Sequence, residues 1–559
     1  MKSHNNIWND YPRPQLKRAN FKILNGIWKL NDKEIVVPFP PQSKLSEYSD
    51  NIADDLVYEY DFDMPKNFVL KRTLINFGAV DQIAEVWLND NLIGRHEGGY
   101  LPFSFDITDF IKSHNNKLKI KVTDNLSTDY PYGKQSSKRG GMWYTPVSGI
   151  WQTVWLENVP EHYIHNVIIT PDKNGVTIKC IGPDKFKAII SLENDTLTLE
   201  SPTDTLYIDF SKAVSDNGET ITPNLWCVNN PYLYNMTIIA DEDKIETYFA
   251  LRTIEILDIE GIQRVCLNGE PIFLHGVLDQ GYYEDGIYLP NEANEYERDI
   301  LRMKELGFNT LRKHIKVEPE IFYYYCDKHG MLVMQDMVNN GHYSFLRDTA
   351  LPTIGLRKRN DCKKNIKDEF RREFFKIHMI DTLNHLYNHP CIICYTIFNE
   401  GWGQFESDAM YELAKSTDST RLYDTTSGWF PHTKSDFDSE HVYFMTRTLH
   451  PKTRPMLLSE CGGYTYKIND HCFNANKSYG YGACKNTSEL TDRIVKMYHK
   501  MVIPAIPNGL CGCIYTQLSD VEDEINGFYT YDRAICKVDS KKLLTLANEI
   551  TDTINTTVI

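Results

Sequence analysis

Apolar positions along the chain fall into two regimes. Up to about residue 256 they come in short runs broken by polar turns. Leu74 to Phe77, Ile83 to Leu88 and Leu118 to Val122 read as half-buried strands, because successive strand side chains point to opposite faces. Asn89-Asp90-Asn91, between two such runs, predicts a hairpin turn. The same texture returns in Val167 to Thr170, Val176 to Cys180, Lys187 to Leu192, Leu206 to Phe210 and Tyr234 to Ala240. We expect a β-sandwich over residues 1–160 and an immunoglobulin-like β-sandwich over residues 161–256 that lacks the Cys…Trp…Cys signature.

The regime changes after Asn268-Gly269-Glu270. An apolar strand at Ile272 to Leu278 leads into a helix at Asn291 to Leu306. Ile300, Met303 and Leu306 lie on the apolar face of that helix, and Gly307 closes it. Strand and helix then alternate: strand Asn309 to Arg312, helix Pro319 to Lys328, strand Met331 to Gln335, long helix Lys367 to Tyr387, strand Cys391 to Phe398. Later strands are Arg421 to Asp424, His441 to Phe444, Pro455 to Ser459 and Leu510 to Tyr515. About eight strands over roughly 300 residues (257–559) have the size and rhythm of a (β/α)8 barrel.

Composition narrows the function. The 559 residues carry 76 acidic and 60 basic side chains, a net charge of −16, which argues against a nucleic-acid partner. No apolar run is long enough to span a bilayer. The start, Met1 to Asn6, is polar and has no secretory h-region, so a cytoplasmic protein without a membrane partner is expected. The 13 cysteines are odd in number and scattered, as reduced thiols would be. Cys391-x-x-Cys394 and Cys511-x-Cys513 lack a second pair at zinc spacing and read as core. The 34 tyrosines and 9 tryptophans suit sugar stacking, although most aromatics are simply core.

In a barrel of this kind the reactive groups sit at the C-terminal strand ends. The fourth strand ends in Asn399-Glu400 before Gly401-Trp402-Gly403, and the seventh in Ser459-Glu460 before Cys461-Gly462-Gly463. Two carboxylates facing one bond from two directions are what glycoside hydrolysis needs, one as proton donor and one as nucleophile. Either glutamate alone would be an ordinary loop-entry residue; the pair at matching strand ends points to catalysis.

Asn388-His389-Pro390, followed by Cys391 to Glu400, resembles the acid/base signature of glycoside hydrolase family 2, which holds β-galactosidases, β-glucuronidases and β-mannosidases. The resemblance extends over most of the chain. Val86-Trp87-Leu88-Asn89 and Gly98 to Phe103 look like the family's N-terminal jelly roll, which Ser148-Gly149-Ile150-Trp151 closes. Phe249-Ala250-Leu251-Arg252 resembles the join to the barrel, and Pro455 to Glu460 the nucleophile strand. The resemblance implies a jelly-roll sugar-binding-type domain, an immunoglobulin-like domain and a catalytic TIM barrel. It implies Glu400 as acid/base, Glu460 as nucleophile, Asn399 on the sugar, and Tyr443 and Arg312 beside the nucleophile.

The sequence departs from the family pattern where sugars are read. Tyr395 stands where many members have Trp, and Lys313-His314-Ile315-Lys316 replaces the common Ser-His-Tyr-Pro. Asp279-Gln280 ends the first strand without the galactosidase, glucuronidase or mannosidase pattern, and Gln517 follows the eighth without the usual Trp. Asp279, Gln280, Asp336 and Gln517 are therefore the expected hydroxyl contacts, each with the alternative that it only supports a neighbouring side chain. Lys313 and His314 are the basic pair expected near the mouth. Trp402, read as an exposed loop residue, is expected to stack on an aglycone. No Asn-x-Lys follows Glu460, the stretch in which glucuronidases carry their carboxylate-reading motif. The reading is a retaining exo-β-glycosidase, β-galactosidase-like, needing no cofactor or metal and acting on a carbohydrate; a homo-oligomer is left open. A β-glucuronidase is the nearest alternative, and an inactive carbohydrate-binding protein on the same scaffold the alternative of another class.

Overall fold

A computed structural model describes residues 8–353, 355–356, 361, 368–443 and 445–557. The readings made on Met1 to Asn6, on Lys367 as a helix start and on Phe444 as a strand end lie outside these residues.

The N-terminal strands form a β-sandwich. Its six-stranded antiparallel sheet runs Lys33–Val37, Gly26–Leu30, Asp55–Phe62, Asn116–Thr123, Ile83–Leu88, Asn91–Glu97. The facing sheet runs Phe21–Ile23, Val154–Val159, Arg72–Phe77, Phe103–Asp106. Alternation decides which side chains go inward: Leu118, Ile120 and Val122 are buried against Ile75, Phe77 and Leu156, while the intervening lysines face out. The hairpin read at Asn89-Asp90 is present, with both residues at positive φ (51° and 68°) as a tight twisted turn requires.

The next strands pack as a three-stranded sheet (Asn166–Pro171, Gly175–Ile181, Thr205–Asp209) on a four-stranded one (Thr196–Ser201, Phe186–Ser191, Tyr234–Ala240, Asp243–Phe249). This three-on-four sandwich has its own core around Ile178, Ile190, Ile238 and Phe249.

Eight parallel strands follow: first Leu274–Asp279, second Thr310–Lys313, third Leu332–Asp336, fourth Ile392–Asn399, fifth Leu422–Ser427, sixth Asp438–Val442, seventh Met456–Gly462 and eighth Leu510–Thr516. Seven neighbouring pairs are hydrogen-bonded in the order 5-4-3-2-1-8-7-6, so the ring stays open between the fifth and sixth strands. Helices follow strands one to four, seven and eight: Asn294–Glu305, Glu320–His329, Glu369–Leu386, Ser407–Thr417, Thr487–Met497 and Ser540–Thr557. No helix follows the fifth or sixth strand among the described residues, a departure from regular (β/α)8 alternation. The connections there carry Pro431, Pro451 and Pro455, each lacking the N–H a helix interior needs. Asp436 bridges the opening instead, its N–H donating to Tyr423 O (2.9 Å) and its Oδ2 accepting from Tyr423 N (2.8 Å). Cys391, Cys394, Cys511 and Cys513 are all buried in this barrel core, as read from the sequence.

Residues 125–147, a long excursion from the N-terminal sandwich, lie over the barrel mouth. Tyr132 N donates to Asn339 O (3.0 Å), the Tyr132 hydroxyl to Gly341 O (2.9 Å), and Thr145 N to Glu522 Oε1 (2.9 Å). Among the described residues, no helix is long and apolar enough to cross a membrane.

Candidate active site

Glu400 stands one residue beyond the fourth strand, at φ +54°, followed by Gly401 at φ +72°. A left-handed non-glycine residue costs about 1 kcal/mol or more and persists where its surroundings hold it. Here the Glu400 N–H donates to Ser427 O of the fifth strand (3.0 Å), which turns the carboxylate back over the barrel axis. Glu460 sits inside the seventh strand and is almost wholly buried. Carboxylate oxygens of the two glutamates and a nitrogen of His441 all lie within 4.8 Å of one another.

Arg312, fully buried at the second strand, organises the floor. Its Nη1 donates to Glu460 Oε1 (3.0 Å) and Ser459 O (3.0 Å), its Nη2 to Asn399 Oδ1 (2.9 Å), and its Nε to Asp336 Oδ1 (3.0 Å). The Tyr443 hydroxyl donates to Glu460 Oε2. Burial alone would raise the Glu460 pKa. His441, Arg312 and the Tyr443 hydroxyl outweigh it and bring the carboxyl from 4.5 down to about 2. A depressed carboxylate favours the folded state above its unfolded pKa, near 4.5, and loses that contribution as pH falls toward 2.

His441 is the residue that sequence reading passed over. Its Nδ1 lies 2.8 Å from Glu400 Oε1, and its Nε2 lies 3.0 Å from Ser427 Oγ and 3.6 Å from Glu460 Oε1. The one available signal was its position two residues before Tyr443, on the same face of the strand. Gly428 makes room for the ring: at φ +81°, a Cβ there would lie 2.5 Å from His441 Cγ. Glu400, His441 and Glu460 are also the set that could hold a metal ion. His441 and Glu400 already meet at hydrogen-bond distance in this arrangement.

Several sequence expectations need correcting. Asp336 is engaged within the protein: Arg312 takes one oxygen and His314 Nδ1 the other (2.7 Å). Asp279 is likewise engaged, with Lys313 Nζ at 2.6 Å on Oδ2 and Gly281 N at 2.9 Å on Oδ1. Lys313 does not reach the mouth. One residue after the inward-facing Arg312, it points out of the barrel and is buried against Asp279 and Glu318 (2.9 Å). Trp402 is buried rather than exposed; its Nε1 donates to Gly341 O (2.8 Å) and its rings pack edge-on to Tyr132, Trp143 and Tyr343. The half-buried tryptophan at this rim is Trp143, brought by the 125–147 excursion.

The remaining expected residues do converge. Gln280 Nε2 donates to Gln517 Oε1 (2.9 Å), leaving Gln280 Oε1 and Gln517 Nε2 unpartnered. Burial lowers the pKa of His314 against the pull of Asp336, whose Oδ2 lies 2.7 Å from His314 Nδ1. Asn399, its oxygen held by Arg312, keeps its amide hydrogens for a ligand.

Strand-end glutamates at this spacing, one held ionised by a buried arginine and a tyrosine, define a glycosidase-type site. The sequence agrees. Residues 23–160 match the family model "Glycosyl hydrolases family 2, sugar binding domain", and residues 257–465 match "Glycosyl hydrolases family 2, TIM barrel domain". The chain belongs to glycoside hydrolase family 2. It is 27% identical over 384 residues to a beta-galactosidase of Thermoanaerobacter pseudethanolicus, an alignment covering 65% of this chain and 47% of that one. It is 23% identical over 443 residues to a beta-galactosidase of Pseudoalteromonas haloplanktis, covering 72% and 40%. The chain thus spans less than half the length of these curated relatives. Its fold is similar to that of the beta-D-glucuronidase of Dictyoglomus thermophilum (TM-score 0.73, 17% identity, 97% of this chain and 98% of that one). It is also similar to that of a beta-galacturonidase of Eisenbergiella tayi bound to galacturonate (TM-score 0.66, 16% identity, 96% and 98%).

Proposed function

We propose that this chain is a retaining exo-β-glycosidase with Glu460 as nucleophile and Glu400 as acid/base. The observation that carries the reading is the approach of the two carboxylates, with oxygens inside 4.8 Å, while Arg312 and Tyr443 grip only Glu460. Retaining enzymes place their carboxyl groups about 5–5.5 Å apart, whereas inverting ones leave about 6.5–9.5 Å for a water. In the first step a Glu460 oxygen bonds to the anomeric carbon as the glycosidic C–O bond breaks, and Glu400 gives its proton to the departing oxygen. In the second, water attacks the same carbon, Glu400 takes its proton, and the ester bond to Glu460 breaks. The first step needs Glu460 ionised and Glu400 carrying the proton; Arg312 and Tyr443, which of the two carboxylates meet Glu460 alone, favour charge on Glu460. His441, bonded to Glu400, is placed to steady that proton between steps.

The cap of residues 125–147 over the mouth supports removal of terminal sugars rather than cleavage within a chain. Relatives divide between galactosides and uronosides as the sugar released. The barrel-strand residues left for a ligand, His314, Asn399, Gln280 and Gln517, suit hydroxyls of either. A panel of 4-nitrophenyl β- and α-glycosides tests the reading. At least one β-galactoside or β-uronoside should release nitrophenol, and no α-glycoside should. Failure of every β-glycoside would leave the carbohydrate-binding alternative.

A further inference from the structure

Buried lysines are expensive unless paired, because an ammonium leaving water must recover its hydration from protein acceptors. Three buried lysines of the barrel domain obey this. Lys313 bonds Asp279 and Glu318, Lys316 bonds Glu318 and the Gly281 and Tyr288 carbonyls, and Lys537 bonds Asp520 and two carbonyls. Lys134 does not. It is 9% exposed, yet its Nζ has no hydrogen-bond or ion-pair acceptor among the described residues; the Trp143 ring centroid lies 5.9 Å away.

The position of Lys134 is enforced. Its carbonyl accepts the Tyr144 N–H (3.0 Å), and the next side chain, Gln135, is held by Asp81 (2.9 Å) and the Val147 N–H (2.7 Å). Gly133, at φ +64°, lets the backbone press onto the barrel: a Cβ there would lie 3.0 Å from Ile315 O, one residue past His314. The segment that carries Lys134 crosses the barrel mouth, with Tyr132 N donating to Asn339 O beyond the third strand and Thr145 N to Glu522 Oε1 beyond the eighth. Glu524 forms no ion pair with Lys134; its oxygens accept from Tyr144 and Asn526 (3.0 Å).

We infer that Lys134, delivered by the N-terminal sandwich, is a specificity-determining residue that binds the carboxylate of a terminal β-uronoside in the barrel mouth. This rests on the glycosidase reading above. It places the anion reader on another segment from the stretch after Glu460, where no Asn-x-Lys occurs. The substrate carboxylate would supply the missing acceptor, and an unpaired ammonium would disfavour a neutral sugar in the same place.

The test compares kcat/KM for 4-nitrophenyl β-glucuronide against β-glucoside, and β-galacturonide against β-galactoside, in wild type, Lys134→Met and Lys134→Arg. Wild type should prefer one uronoside over its neutral parent. Lys134→Met should lower that preference about 10–100-fold, the worth of a hydrogen bond to a charged group, and Lys134→Arg should keep most of it. A wild type that prefers the neutral sugar, or a methionine variant that slows both equally, overturns the assignment. Preference for a sulfated aryl glycoside over both would move the anion from carboxylate to sulfate ester and overturn it too. Should no glycoside turn over, the glycosidase reading falls by itself. Calorimetric titration with glucuronate and galacturonate against glucose and galactose then decides on Lys134: acid-selective binding lost in Lys134→Met supports it, and equal or absent binding refutes it. The wild-type preference decides if the methionine variant does not fold.

Discussion

Replacing Glu460 by alanine should lower kcat/KM by about 10⁴-fold or more on every substrate, roughly 5.5 kcal/mol of transition-state stabilisation. The loss does not depend on the leaving group, because the missing group is the atom that bonds to the anomeric carbon. Nor does the cavity left behind refill with a substitute carboxylate. Arg312 remains paired with Asp336, Asn399 and the Ser459 carbonyl, and holds a space shaped for an anion. Azide entering that space can displace the leaving group directly and should give the α-glycosyl azide. Steady-state rates on aryl glycosides and NMR of the azide product check both parts. Activity within tenfold of wild type would remove Glu460 from the mechanism.

Glu400→Ala should behave differently because it serves both steps. General acid–base assistance is typically worth about 10²–10⁴-fold, and that loss should appear in full on poor leaving groups. On activated aryl glycosides the first step needs little acid, so the glycosyl-enzyme forms and then stalls without a base. A burst of nitrophenol followed by slow turnover is the expected trace. Azide, which needs no deprotonation, should restore turnover and yield the β-glycosyl azide. An α-azide from this variant and a β-azide from Glu460→Ala would reverse the two roles.

Much of this site is legible in the sequence because its main residues sit at strand ends. Asn399-Glu400 and Ser459-Glu460 each close an unbroken apolar run and open into glycine, so the position of the carboxylate follows from the strand itself. Arg312 is similarly exposed to inference, as a charge at the end of Asn309-Thr310-Leu311. Direction within a strand end is harder. Lys313 differs from Arg312 by one residue and therefore by one face, and only the register shows that Arg312 points inward. Asp279 and Asp336 turn out to have partners within the protein for a related reason. Each lies where a ligand residue belongs, but a buried lysine and a buried arginine next to them need counter-charges.

Other features could not be read locally. His441 meets Glu400 across the opening between the fifth and sixth strands, where Gly428 leaves room for the ring. Trp402 looks exposed in a glycine-rich loop until the 125–147 excursion covers it. Lys134 and Trp143 come from the N-terminal sandwich, more than 250 residues before Glu400, and no periodicity links them to the barrel.

The central claim, that Glu460 attacks the sugar directly, is tested most directly by ¹H NMR of the anomeric signals during the first minutes of hydrolysis of an accepted aryl β-glycoside. Two successive inversions at the anomeric carbon should release the β-anomer first, with the α-anomer growing in only at the rate of mutarotation. Immediate appearance of the α-anomer would mean a single displacement by water and would contradict the account.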